Sequence, residues 1–157
     1  MKRVMLLLAA SVLAATTGFL PWKSHDAAQL LPVETLLIDQ KADTVRVSAG
    51  TLTGEGSSLP EALEALAAQA PGELFFGQVS RVVVGDGASA LLTEAAQQAT
   101  LRLNTAVYRV RGSVAKLTER VSELEPYWRA QERHGVLTTL LEFCADGTSP
   151  LCIGETA

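Results

Sequence analysis

Apolar residues run almost unbroken from Val4 to Trp22, and beyond that point they fall into short runs and into spacings of two or of three to four. Lys2 and Arg3 precede the run, Thr16, Thr17 and Gly18 soften it, and Phe19 to Trp22 close it. A charged start followed by an apolar stretch reads as a leader over residues 1–22, either a signal peptide or an N-terminal membrane anchor. Small residues at Ala14, Ala15, Thr17 and Gly18 make only mediocre cleavage sites, so removal and retention both stay open. As a retained helix, Val4 to Pro21 rises about 27 Å at roughly 1.5 Å per residue, just short of a hydrocarbon core of about 30 Å. Residues 23–31 follow as a linker.

The next periodicity is that of strands. Val33 to Asp39 is rich in leucine and β-branched residues, and Thr44 to Ser48 sets Val45 and Val47 against Thr44, Arg46 and Ser48. The pair predicts an antiparallel hairpin with one wet face. Thr51 to Ser57 holds Gly54, Gly56 and three hydroxyl residues, a composition expected of a mobile connection. Ser58-Leu59-Pro60-Glu61 then predicts a helix start, with a capping box and proline in the first turn, continued by Ala62, Leu63, Leu66, Ala67 and Ala70. Pro71-Gly72 stops that helix, Phe75 and Phe76 follow, and Val79 to Val84 predicts a central strand buried on both faces.

Gly85-Asp86-Gly87 turns the chain into a second helix near Ala88 to Ala99, and a strand is expected near Thr105 to Arg111. After Gly112 and Ser113, a third helix is expected with Val114, Leu117, Val121 and Leu124 as its apolar stripe against Lys116, Glu119, Arg120 and Glu123. Pro126 opens a further helical stretch through Tyr127, Trp128, Leu137, Leu140, Leu141 and Phe143, interrupted at Gly135. Strands alternating with helices imply a single α/β (α+β) domain over residues 32–143, a mixed sheet of about four strands packed by three to four helices. Residues 144–157 are expected as a C-terminal tail.

Composition narrows what such a domain does. The formal charge is −4, and the leader's only charges are Lys2 and Arg3, so the remainder stands at −6. A surface of that sign is a poor partner for nucleic acid. Cys144 and Cys152 are the only cysteines, with seven residues between them, and their spacing fits neither a redox CxxC nor a zinc site. In an exported chain they either close a small loop, worth roughly 2–3 kcal/mol in the loop-entropy picture, or stay as two thiols; both readings stay open. None of the cysteines lies in the leader, so a lipid-modified N-terminal cysteine has no residue to form on, and tethering falls to the leader helix or to a partner.

Candidate chemistry is thin. His25 and His134 are the only histidines, and His134 reads as a helix-surface residue. Among Asp39, Asp43, Glu55, Glu61 and Glu64, the capping box accounts for Glu61, the turn for Asp43 and a solvated helix face for Glu64. Gly85-Asp86-Gly87-Ala88-Ser89 sits where backbone N–H groups hold anions, but it lacks the lysine and spacing of a phosphate loop and reads as a tight turn. Tyr108 falls opposite Arg109 and Arg111 by strand alternation, and Tyr127 and Trp128 read as anchors of a helix. No catalytic residue, cofactor site or metal site is expected. The rival expectation is a small secreted hydrolase using carboxylates, Asp39 and Glu55, around the loop from Gly54 to Ser58.

The order of these features resembles the Ger(x)C family of spore germination proteins. The run Gly54-Glu55-Gly56-Ser57-Ser58-Leu59-Pro60-Glu61-Ala62-Leu63 is similar to the pattern before that family's first helix. Glu73 to Val79, with Phe75 and Phe76, and then Val82-Val83-Val84-Gly85-Asp86-Gly87 are similar to its aromatic pair, strand and glycine turn. Leu101-Arg102-Leu103-Asn104-Thr105 and Val107 to Gly112 with Ala115 are similar to its arginine-containing strand and small-residue helix start, and Ile38-Asp39 to its early strand. The resemblance spans about residues 32–124, with a fainter continuation over 137–143, and corresponds to the family's N-terminal domain alone. It implies an extracytoplasmic, non-enzymatic protein, a C subunit beside the membrane subunits of a nutrient germinant receptor or other proteins of the spore inner membrane. It brings no catalytic residues. Two departures qualify it: the family's lipobox cysteine is missing, and family members continue through further domains beyond the length of this chain. A degenerate family member without function is therefore a further alternative.

Overall fold

The computed structural model describes residues 30–98, 100–118, 121–135 and 137–155. The leader and most of the linker lie outside these residues, as do Glu119 and Arg120 of the third expected helix. Within them the α/β reading holds, with more strands than expected: a six-stranded mixed sheet and a separate two-stranded parallel one.

The hairpin forms as its alternation predicts. Strand β2 (Thr35–Lys41) runs antiparallel to β3 (Thr44–Ala49) with Ile38 opposite Val47, across a turn in which Ala42 takes a φ of 51°. Gly50 and Thr51 turn the chain again into β4 (Leu52–Gly56), which pairs antiparallel with β3 at the sheet's edge. Thr51 to Ser57, expected as a mobile connection, is therefore mostly strand. Its glycines serve close packing: a Cβ on Gly54 would lie 2.2 Å from the Ala62 carbonyl oxygen and 2.3 Å from the Leu66 nitrogen. A Cβ on Gly56 would lie 2.7 Å from the Ala62 nitrogen. Helix α1 (Leu59–Gln69) lies directly on this strand, and Gln69 Nε2 donates to the Thr53 carbonyl at 2.7 Å.

The rest of the large sheet is parallel. β6 (Arg81–Val84) lies beside β2, β7 (Ala106–Arg111) beside β6, and β8 (Leu151–Glu155) beside β7. The order is β4-β3-β2-β6-β7-β8, so β6 is central, and Val82, Val83 and Val84 are fully buried on alternate faces as three consecutive valines imply. β8 falls in the segment expected as a tail, with an irregular register between Arg109 and Arg111. Near the start of the domain, β1 (Leu30–Pro32) pairs in parallel with β5 (Glu73–Phe75).

Helices cover both faces. On one, α1, α2 (Leu91–Gln97) and α4 (Leu140–Asp146) bring Leu59, Leu66, Leu92 and Leu140 onto Leu36, Ile38, Val82, Val84 and Val107. On the other, α3 (Val121–His134) places Trp128 on Leu37, Val83 and Tyr108. The third expected helix is thus divided: Val114–Leu117 is a 3₁₀ turn, and the helix proper begins at Val121 and runs on through Pro126. Pro126 lacks the N–H that the Ser122 carbonyl would receive, but packing of Trp128 carries the helix past it. It ends at His134, where Gly135 adopts a φ of 68° and interrupts the stretch as expected. Among the described residues no helix is long and apolar enough to cross a membrane.

Candidate functional site

The parallel strands β2, β6 and β7 end at one end of the sheet, and the loops leaving them are tied together. Gly85 N donates to the Ile38 carbonyl at 3.1 Å, and Asp86 N to the Gly112 carbonyl at 3.3 Å. Gly112 N donates back to Asp86 Oδ2 at 3.0 Å. Asp39, near the end of β2, accepts from Gln40 N on Oδ1 at 3.0 Å and from the Ser113 hydroxyl on Oδ2. Gly85 has no room for a side chain, since a Cβ would meet Asp39 Oδ1 at 2.7 Å and the Gly112 carbonyl at 2.9 Å. The turn expected at Gly85-Asp86-Gly87 is thus a knot that holds Asp39 and Ser113 in place.

From this knot a polar trough runs across the hairpin. Helix α3 and its 3₁₀ lead-in cover β2, β6 and β7 on this face, and none of the side chains clustered beneath them comes from β3 or β4. Of the side chains that alternation assigned to the wet face, Thr44 and Arg46 are exposed, while Ser48 is buried against its neighbours. Asp39, Lys41, Thr44, Arg46, Glu55, Ser113 and Ala115 line a cleft of about 580 Å³. Arg46 and Ala115 also border an adjoining hollow of about 300 Å³, which continues past Ser48, Thr53 and Thr118. Across its floor Arg46 Nε donates to Glu55 Oε1 at 2.7 Å, and the Ser48 and Thr53 hydroxyls are 3.1 Å apart. The trough therefore offers both charge signs and a row of hydroxyls in one groove.

Of the residues singled out in the sequence, the structure brings Asp39, Glu55 and Ala115 into the trough and Gly85 to its border. Gly54, Gly56 and Ala62 form the contact between β4 and α1. Ser57 and Glu61 form its cap. The Ser58 hydroxyl accepts from Glu61 N, while Glu61 Oε2 accepts from Ser57 N at 2.9 Å and Ser57 Oγ at 2.7 Å, so the box closes one residue earlier than its spacing implies. These hydrogen bonds to Ser57, side chain first and backbone second, hold the Glu61 carboxyl below its ordinary range. Phe76 packs on the core and Phe75 is 38% exposed at the opposite end of the sheet, where Arg102 is exposed too. Cys144, in α4, and Cys152, on β8, are exposed thiols, so the loop between them is not closed in this structure. Lys41, Thr44, Arg46, Ser48, Thr53 and Ser113 escaped notice as site residues. Their alternation was legible as a wet face, but which half of that face stays open depends on where α3 lies.

Asp39 and Glu55, the carboxylates of the hydrolase alternative, do share the cleft, each already engaged by a neighbour. Among the described residues no three His, Cys, Asp or Glu side chains gather where they could hold a metal ion. No family model, curated protein or solved structure matches this chain.

Proposed function

We propose that this chain is an extracytoplasmic binding module, non-enzymatic, that resembles the N-terminal domain of Ger(x)C proteins and engages partner proteins through the polar trough. The partners are the membrane subunits of a germinant receptor or other spore membrane proteins, in germination or in assembly of the spore envelope. The observation that carries the reading is the trough itself, an uncovered sheet face on which Lys41, Arg46, Asp39 and Glu55 stand among hydroxyls. Such a mixture of donors and acceptors matches a polypeptide surface, which also presents both signs and both hydrogen-bonding roles. The stretches that carry the resemblance support it in a second way, since Gly54, Gly56, Gly85 and Phe76 are packing positions of the strands and helix that frame the trough.

Affinity purification of the full chain from spore membranes tests the reading. Recovery of receptor membrane subunits, lost on charge reversal at Arg46, is the expected result. Expression confined to vegetative cells, with no receptor subunit recovered, overturns it. The shared cleft of Asp39 and Glu55 favours the hydrolase as the second reading, and a hydrolytic activity that disappears in both Asp39→Ala and Glu55→Ala would establish it instead.

A further inference from the structure

Four large apolar side chains are exposed among the described residues, and three of them gather at one end of the domain. Phe75 is 38% exposed, Leu103 47% and Leu141 53%; the fourth, Tyr127, lies on α3. Phe75 precedes the 3₁₀ turn (Phe76–Gln78) that leads into β6, and Leu103 lies in the loop before β7. Leu141 N donates to the Leu103 carbonyl at 2.9 Å, and the Thr105 hydroxyl donates to the Val79 carbonyl at 3.0 Å, which ties the two loops together. All three side chains therefore mark the end where the parallel strands begin, opposite the knot at Asp39 and Ser113. An apolar hollow of about 360 Å³, bordered by Leu31, Leu52, Leu74 and Val121, opens at the same end.

The chain enters the domain here as well, since Pro32 of β1 is in register with Phe75. Leu30 follows Trp22, the last residue of the apolar leader, by eight residues. An extended link of that length reaches no more than about 28 Å. A leader held in a bilayer therefore keeps the entry point of the domain within that distance of the lipid.

We infer that the end carrying Phe75, Leu103 and Leu141 rests on the bilayer surface, with these side chains in the interfacial layer. The inference rests on the leader being retained as a tether, one of the two outcomes that the sequence leaves open. An aromatic ring and two leucines suit the boundary between headgroups and acyl chains. The net charge of −6 beyond the leader gives no attraction to anionic lipid, so the seating is apolar and insensitive to salt. It also leaves the part of the trough around Asp39, Lys41 and Thr44 at the far end, facing outward to partners.

The test uses the full chain in phosphatidylcholine vesicles, carrying Cys144→Ser and Cys152→Ser so that a nitroxide label reports one site. Labels go on Leu103→Cys at the apolar end and on Thr44→Cys at the trough, both exposed positions that the fold tolerates. Collisions with lipid-soluble oxygen should exceed those with a water-soluble nickel chelate severalfold at position 103, with the opposite ratio at position 44, unchanged on adding salt. Equal exposure of the two labels to the nickel chelate, in vesicles that float with the protein bound, overturns the seating alone. Protein that does not float with the vesicles overturns both the tether and the seating. Burial of the position 103 label that appears only as protein concentration rises, and without vesicles, assigns this end to a second copy and also overturns the inference.

Discussion

Arg81 lies over the ring of Trp128, its guanidinium carbon 5.1 Å from the ring centroid. The side chain is 9% exposed and grips α3 at two points: Nε and a terminal nitrogen reach Glu132 Oε1 at 3.0 and 2.8 Å, and the other terminal nitrogen reaches Glu125 Oε2 at 3.2 Å. The first residue of the central strand thus fastens α3 to the second face of the sheet. Arg81→Ala leaves the ring face and the Glu132 carboxylate without their cation, while Glu125 keeps Arg129, and should cost about 3 kcal/mol. Arg81→Lys keeps the charge but not the fork, and should cost about 1–2 kcal/mol. Denaturant unfolding with an unchanged m-value measures both.

Beneath that contact the Tyr108 hydroxyl is buried and has no hydrogen-bond partner among the described residues, its ring 6.0 Å from that of Trp128. An unsatisfied buried hydroxyl is a cost that phenylalanine does not carry, so Tyr108→Phe should stabilise the protein by about 1 kcal/mol. Burial, and after it the Glu132 charge, also pushes the Tyr108 ionisation above its ordinary value of 10.0. The folded tyrosine keeps its proton at a pH where the unfolded chain has lost it. Stability is therefore complete below about pH 10 and falls as pH rises through the raised value. The alkaline limb of the stability profile should flatten in Tyr108→Phe.

Acid acts on the other side of the molecule. Glu61 is held below the usual carboxylate range by Ser57, so its contribution is present at neutral pH and is lost as pH falls through the lowered value. A carboxylate titration followed by NMR should place Glu61 below 4.5, the ordinary glutamate value. Faster exchange of the Ser57 amide should accompany its protonation, and Glu61→Gln should remove the pH dependence of that exchange.

Gly54→Ala is expected to be among the most damaging single-methyl additions, because the new carbon meets backbone atoms at 2.2 and 2.3 Å that no rotamer change can move. Overpacking of this kind costs about 1–3 kcal/mol where side chains can yield. Here the figure should lie at or above the top of that range, read from the unfolding midpoint. Gly50→Ala meets no atom within 4 Å and suffers only from its φ of 58°, about 1–2 kcal/mol.

Exchanging the charges of the trough separates stability from binding. Arg46 and Glu55 are about half exposed, and a pair of that kind contributes about 0.2–1 kcal/mol. The double variant Arg46→Glu, Glu55→Arg keeps a pair in register and should shift the unfolding midpoint hardly at all. Partner recovery, if the trough makes it, should fall at least tenfold in the pull-down.

Much of this fold is legible from local pattern, and the failures have a common cause. Val82, Val83 and Val84 announce a strand buried on both faces, and Thr44, Arg46 and Ser48 announce a wet one, because each signal lies within a few residues. Gly54 and Gly56 mislead for the opposite reason. Glycine weakens a strand in isolation, and its use here appears only once α1 is laid against it. β8 is hidden because its partner is β7, some forty residues earlier in sequence, and Leu151 and Ile153 make too short an alternation to stand alone. The trough is hidden likewise: its side chains are ordinary strand polars until the reach of α3 shows which of them stay uncovered.

Nothing but hydrogen separates the Gly54 backbone from that of α1, and this sets the mechanical character of the hairpin. Helices held off a sheet by leucines can drift as those side chains change rotamer. At Gly54 there is no such cushion. A push on the outer edge of β4, as a docking partner would deliver, passes into α1 undamped, and the two move as one lever or not at all.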